Sequence, residues 1–240
     1  FVKGAAAEGE PIPAFFKGQI IRTIRQGLVA ELGVQWFFDT DLPTETFVRL
    51  GTTAAERAEA AAQVLRSANI RGVTIEPHQG FLSDHYDPRA KALRLSPKVY
   101  SGRTVAAVAV AAHEAGHAIQ DEVGYAPLRI RSALVPVASF GDRLWFLPFV
   151  IGLFANISGL VLVGIILLAA TVLFQLVTLP TEFDASRRAK EALVAVGVTR
   201  THEETVGVSK VLNAAAMTYL AAALASIIQL LYWISVARRN

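Results

Sequence analysis

Thirty-six consecutive residues, Leu144 to Leu179, carry no charged side chain. That exceeds the roughly 20 apolar residues needed to cross a bilayer once. Asn156, Ile157, Ser158 and Gly159 place turn-forming residues near the middle of the run, so it predicts a helical hairpin of two membrane spans. The first arm extends back towards Leu134, which would bring Asp142 and Arg143 to the interface. A second charge-free stretch, Leu212 to Val236, predicts a third span that stops at Arg238 and Arg239. Buried helices of a soluble protein are the competing explanation, but stretches this long are a membrane signal by length alone.

Composition agrees. Charged residues make up 18% of the chain and hydrophobic ones 53%, whereas soluble domains carry about a quarter charged residues. The net charge of +3 comes from scattered basic residues with no interleaved aromatics. That pattern suits an anionic lipid surface and argues against a nucleic-acid partner. The absence of cysteine excludes disulfides, iron–sulfur clusters and thiolate-held zinc, so any metal must be held by His, Asp or Glu.

Five segments follow. Residues 1–50 give no clear structure; Phe15–Phe38 reads as an amphipathic, surface-lying helix, and Lys17, Arg22 and Arg25 break the apolar patches that a signal peptide would need. Residues 51–131 read as a soluble catalytic part. A helix opens at Thr52–Thr53 and runs to about Ser67, two short strands lie at 72–76 and 92–95 around a polar loop, Pro77–Arg89, and a further helix covers Thr104–Glu122. The loop and the second strand are expected to form an edge that pairs with an extended substrate. The hairpin occupies 132–179, a polar segment 180–211, and the last span 212–236. Thr178-Leu179-Pro180-Thr181 reads as a helix start with proline in the first turn.

The run Ala111-Ala112-His113-Glu114-Ala115-Gly116-His117-Ala118-Ile119-Gln120 is a His-Glu-x-x-His motif inside a predicted helix. Spacing of four residues puts His113 and His117 on one face, where both imidazoles reach one tetrahedral ion. Glu114 then reaches a water on that ion as general base. Two ordinary histidines are a poor alternative, because burying this trio without a metal leaves polar groups in need of partners. The motif therefore predicts Zn²⁺. Gly116 would let a neighbouring element approach closely. Zinc needs a third protein ligand, and Glu182 is the candidate. Asp184 is its rival, pointing about 200° away on the same helix. Asp121, His202, Glu203 and Glu204 are further possibilities, the last three reading better as a solvated face. His78 and His85 read as parts of a hydrogen-bonded turn, not as a second metal site. Arg187 and Arg188 read as headgroup anchors.

AAHEAGHAIQ, GYAPLRIRSALVPVA, LFQLVTLPTEFDASRRA and KVLNAAAMTYLAAALAS, with SDHYDPRAKALRLSP upstream, together resemble the YugP-type neutral zinc metallopeptidases of bacteria. These are related to the HtpX and Ste-type membrane proteases among the gluzincins. The resemblance covers about residues 52–236. It implies a peptidase with one zinc, Glu114 as catalytic residue, and as third ligand the Glu of the Glu-Phe-x-Ala segment, here Glu182. Relatives of the HtpX and Ste type usually carry Asp four residues after that Glu, where this chain has Ser186. The family also tends to begin with a span, which residues 1–50 lack.

The expected protein is thus a mainly α-helical, multi-pass protein of the cell membrane with a small α+β, gluzincin-like zinc peptidase part. Its partners are the lipid bilayer and a peptide or membrane-protein substrate. Lys and Arg concentrate before the hairpin and in Thr181–Lys210, which puts the site on the cytosolic side; Arg238 and Arg239 pull the other way. A proteolytically inactive zinc-binding scaffold would not need Glu114. A transporter would show charged or broken residues within its spans.

Overall fold

The computed structural model describes residues 58–79, 84–102 and 104–239. The expected helix Phe15–Phe38, the Thr52–Thr53 helix start and residues 80–83 of the polar loop lie outside them. Helices dominate: α1 (Glu59–Ser67), α2 (Pro97–Tyr100), α3 (Val105–Glu122), α4 (Ala126–Leu144), α5 (Phe146–Phe154), α6 (Ser158–Ala195) and α7 (His202–Ala237). Three strands, β1 (Thr74–Pro77), β2 (His85–Asp87) and β3 (Ala92–Leu95), make one small sheet.

Local chemistry sets the helix ends. The Thr104 hydroxyl accepts from Ala107 N at 3.1 Å and caps α3. Asn69, Gly124, Asn156 and Gly197 adopt positive φ just beyond α1, α3, α5 and α6. The next residue in each case donates to a carbonyl five positions back, as Tyr125 N does to Gln120 O at 2.8 Å. This is the left-handed stop that Gly and Asn favour. At α7, Thr201 and Glu204 form a reciprocal box: Glu204 Oε2 accepts from Thr201 N at 3.0 Å, and Thr201 Oγ1 accepts from Glu204 N at 3.2 Å. Glu204 is thus a buried cap, whereas His202 and Glu203 are exposed as expected.

The helix start expected at Thr178–Thr181 is absent, because α6 continues through Pro180. A proline removes one ladder bond, and here the Thr181 hydroxyl adds a bond to the Val177 carbonyl at 3.2 Å within a long helix. Glu182 therefore sits in mid-helix, and the helix dipole has no part in holding it.

The described residues divide between two compact units, and α4, α6 and α7 contribute to both. One unit contains the sheet, α1 to α3, Val177–Met217 and the chain up to Ala133. Val64, Leu65, Leu93, Leu95, Ala109, Ala112, Ala189, Leu193 and Leu212 form its core. In the sheet β3 is central, parallel to β1 and antiparallel to β2. The strand at 92–95 is therefore not an edge; β2, missed in the sequence because three residues show no alternation, is one. Asp87 fixes the β2–β3 turn by accepting from Arg89 N at 2.9 Å and Arg94 Nη1 at 2.7 Å. The Ala90 amide, which also donates to it at 3.1 Å, and then Arg94 hold its carboxyl below the ordinary value.

The second unit contains Leu134–Leu176 and the chain from Thr218 on. Trp145, Phe149 and Leu168 form its core, with Trp233 against Phe149 at 5.1 Å between ring centroids. Helices α6 and α7 are each long and apolar enough to cross a membrane. The pair α4 and α5 passes the same test together, bent by 41° at Trp145. Pro148 accounts for the break, since it has no N–H for the Leu144 carbonyl. The turn between α5 and α6, Ala155–Ile157, falls where the hairpin tip was expected. Phe154, Leu162, Ile166, Leu173, Ile228 and Leu231 are exposed. An apolar surface of this kind belongs in lipid.

Candidate metal centre

Helix α3 presents His113 and His117 one turn apart, their ring centroids separated by 4.8 Å. Glu182 reaches both from α6: its Oε2 lies 3.1 Å from His113 Nε2 and its Oε1 3.7 Å from His117 Nε2. The approach depends on Gly116. A Cβ there would lie 2.5 Å from the Ala185 carbonyl oxygen, so no larger residue allows the two backbones to touch. One ligand atom from each of the three residues falls within 4.8 Å of the others. Glu182 is 1% exposed and His117 6%. Two imidazoles and a carboxylate, convergent and with His117 and Glu182 buried, are a donor set that fits zinc. Burial opposes charge on Glu182, yet the two histidines hold its carboxyl well below the usual range. His117 is shifted the other way; burial works against its cationic form, but Glu182 and Glu114 outweigh it and raise its pKa.

Glu114 is 8% exposed. Its Oε2 accepts from Tyr86 N, on β2, at 3.1 Å. Two turns further along the same face of α3, Asp121 accepts from the Tyr86 hydroxyl and from Lys91 Nζ, both at 2.7 Å. Burial, then the bond to Asp121, pushes the Tyr86 phenol well above its ordinary value, so it remains a donor. Asp121 is thereby a strap between α3 and the sheet, not a metal ligand.

Asp184 lies outside the cluster of convergent ligand atoms. It accepts from Gln120 Nε2 at 2.9 Å and Arg188 Nε at 2.6 Å, and it pairs with Arg187. Burial opposes its charge, but these donors, Arg188 foremost, keep its pKa low. Arg187 and Arg188, expected at lipid headgroups, are thus tied to Asp184, and Arg188 also lies over the Tyr125 ring. His78 and His85 meet edge to face at 5.6 Å, and no third metal-binding group joins them among the described residues.

Residues 24–238 match the sequence profile of a family described as "Putative neutral zinc metallopeptidase". The chain belongs to that family. A curated relative, "Putative membrane protease YugP" of Bacillus subtilis (strain 168), is 45% identical over 179 residues, covering 75% of this chain and 79% of the relative. No solved structure matches the chain.

For a member of a zinc metallopeptidase family, three residues around the cluster went unassigned in the sequence. Gln120 places Oε1 2.9 Å from His117 Nδ1. Its position three after His117 was a usable signal, because such residues neighbour each other on a helix. Arg131 Nη2 lies 3.4 Å from Glu182 Oε1, while its buried Nε has no partner among the described residues. Nothing in the local sequence foretold that contact. Tyr86 acts on Glu114 through its backbone, which side-chain chemistry cannot reveal. Ser186, four residues after Glu182, places Oγ 3.2 Å from His113 Nδ1.

Proposed function

We propose that this chain is a multi-pass zinc endopeptidase of the cell membrane, with His113, His117 and Glu182 as metal ligands and Glu114 as general base. The observation that carries the reading is the convergence of these three ligand atoms next to Glu114, in a member of a zinc metallopeptidase family. A zinc ion held there supplies a polarised carbonyl and a water of lowered pKa. Glu114 takes the proton from the attacking water and returns it to the leaving amine. The Tyr86 amide holds that carboxylate in place throughout, and β2, as a sheet edge, offers its backbone to an extended peptide in the manner of gluzincins.

Segment 51–131 then forms the catalytic part with 180–211, and 132–179 and 212–236 form the spans. Glu182 follows the charge-free run by three residues in sequence, which supports substrates presented as flexible segments near the bilayer.

Purified in detergent, the protein is expected to carry about one zinc per chain and to cleave unfolded peptides. Chelation should abolish cleavage and zinc should restore it. Tethering the same peptides to lipid should speed their cleavage. Hydrolysis that survives complete removal of metal would refute the zinc mechanism.

The basic residues of Thr181–Lys210 support a cytosolic site. The chain has no cysteine of its own, so single cysteines report cleanly. Placed at Glu122 and Thr201, they should react with an impermeant reagent from the cytosolic side only, and one at Ser158 from outside only. Labelling of Glu122 and Thr201 from opposite faces would rule out the hairpin.

A further inference from the structure

We propose that Gln120 is a positioning residue: its amide selects the Nδ1–H tautomer of His117 and joins the two segments that carry the metal ligands. The inference rests on reading His113, His117 and Glu182 as ligands, and it assigns to Gln120 the task of presenting one of them correctly.

Gln120 is 0% exposed, so each of its polar atoms must find a partner inside the protein. The nitrogen, Nε2, lies 2.8 Å from the Thr181 carbonyl oxygen and 2.9 Å from Asp184 Oδ2. Both neighbours are acceptors, and Asp184 is kept anionic by Arg187 and Arg188. Only the NH₂ end of the amide satisfies them. A flipped amide would set its oxygen against two acceptors and forfeit both hydrogen bonds in a buried site.

With its nitrogen fixed there, Gln120 must offer oxygen Oε1 to His117 Nδ1, 2.9 Å away. An acceptor at that distance requires a proton on Nδ1. In neutral imidazole the lone pair then resides on Nε2, the nitrogen that faces Glu182. A chain of hydrogen bonds runs from the arginines through Asp184 and Gln120 to the His117 ring. Because Thr181 directly precedes Glu182, the same amide also ties the turn carrying the third ligand to the helix carrying the first two. Ser186 at His113 is different in kind: a hydroxyl either donates or accepts, so it accommodates either tautomer.

Nitrogen-resolved NMR of the imidazoles in zinc-free, detergent-solubilised protein, at a pH high enough for His117 to be neutral, tests the proposal without any variant. His117 is expected as the Nδ1–H tautomer, and an Nε2–H tautomer overturns the idea outright. Gln120→Met, apolar and of similar length, should yield mixed tautomers and weaken zinc binding in a chelator competition by about 10- to 100-fold, the usual range for losing such a partner. Asp184→Ala leaves the Thr181 carbonyl in place and should cost only a few-fold. Wild-type tautomer and affinity in Gln120→Met would overturn the proposal, and the tautomer of the unmodified protein decides should that variant fail to fold. A wild-type protein that binds no zinc would remove the metal reading, while the tautomer measurement would still judge Gln120.

Discussion

Replacing Glu114 with Gln leaves about one zinc per chain and lowers peptide hydrolysis at least about 100-fold, the lower end of what a positioned general base contributes. The carboxylate lies outside the set of three convergent ligand atoms, so the metal should remain. Its carboxylate accepts from Tyr86 N at 3.1 Å, and a glutamine oxygen can accept the same bond. The variant therefore keeps the shape of the site and loses only the capacity to take a proton. Zinc content by elemental analysis, measured beside initial rates on one preparation, checks both halves. A rate near wild type would move the base elsewhere; loss of the metal would show Glu114 to be a ligand.

The second large effect is expected at the third ligand. Glu182→Ala should weaken zinc binding by several orders of magnitude, since two histidines alone leave the ion without its only protein carboxylate. The same change also strands Arg131, whose Nη2 lies 3.4 Å from Glu182 Oε1, so some loss of stability should accompany it. Asp184→Ala should cost a few-fold at most, because Asp184 bonds to Gln120 and the arginines and lies outside the convergent set. A zinc-competition titration ranks the two. The reverse order would make Asp184 the ligand and refute the geometry of α6 described above.

The helix bearing His113 and His117 was legible almost to the residue, because a capping threonine, a run of alanines and a left-handed glycine all mark it locally. Gly116 was legible as a site of close approach, though its neighbour Ala185 was not. The sequence misled at Pro180, where a proline after an apolar run has the same local appearance whether a helix begins there or passes through. Only the packing of α6 decides between the two. Strand β2 was hidden because three residues are too few for periodicity. The surroundings of the metal ligands escaped for a different reason: Gln120, Arg131 and Tyr86 act across 61, 51 and 28 residues of sequence respectively, on Thr181, Glu182 and Glu114. Contacts of that span leave no periodic trace.

The contact of Gly116 with Ala185 bears on which ions the site can discriminate. Two backbones in contact cannot draw closer, and the buried core behind them resists their spreading, so the gap between the imidazoles and Glu182 has little freedom to adapt. Calcium, which takes six to eight oxygens at longer distances, finds one carboxylate and no room to gather more. Copper and nickel meet no such obstacle, since imidazole nitrogens suit them and copper binds such donors more tightly than zinc does. Rigidity therefore screens by size and hardness but not between neighbouring transition metals. Which of those fills the site in a cell is decided by how much free ion the cell supplies.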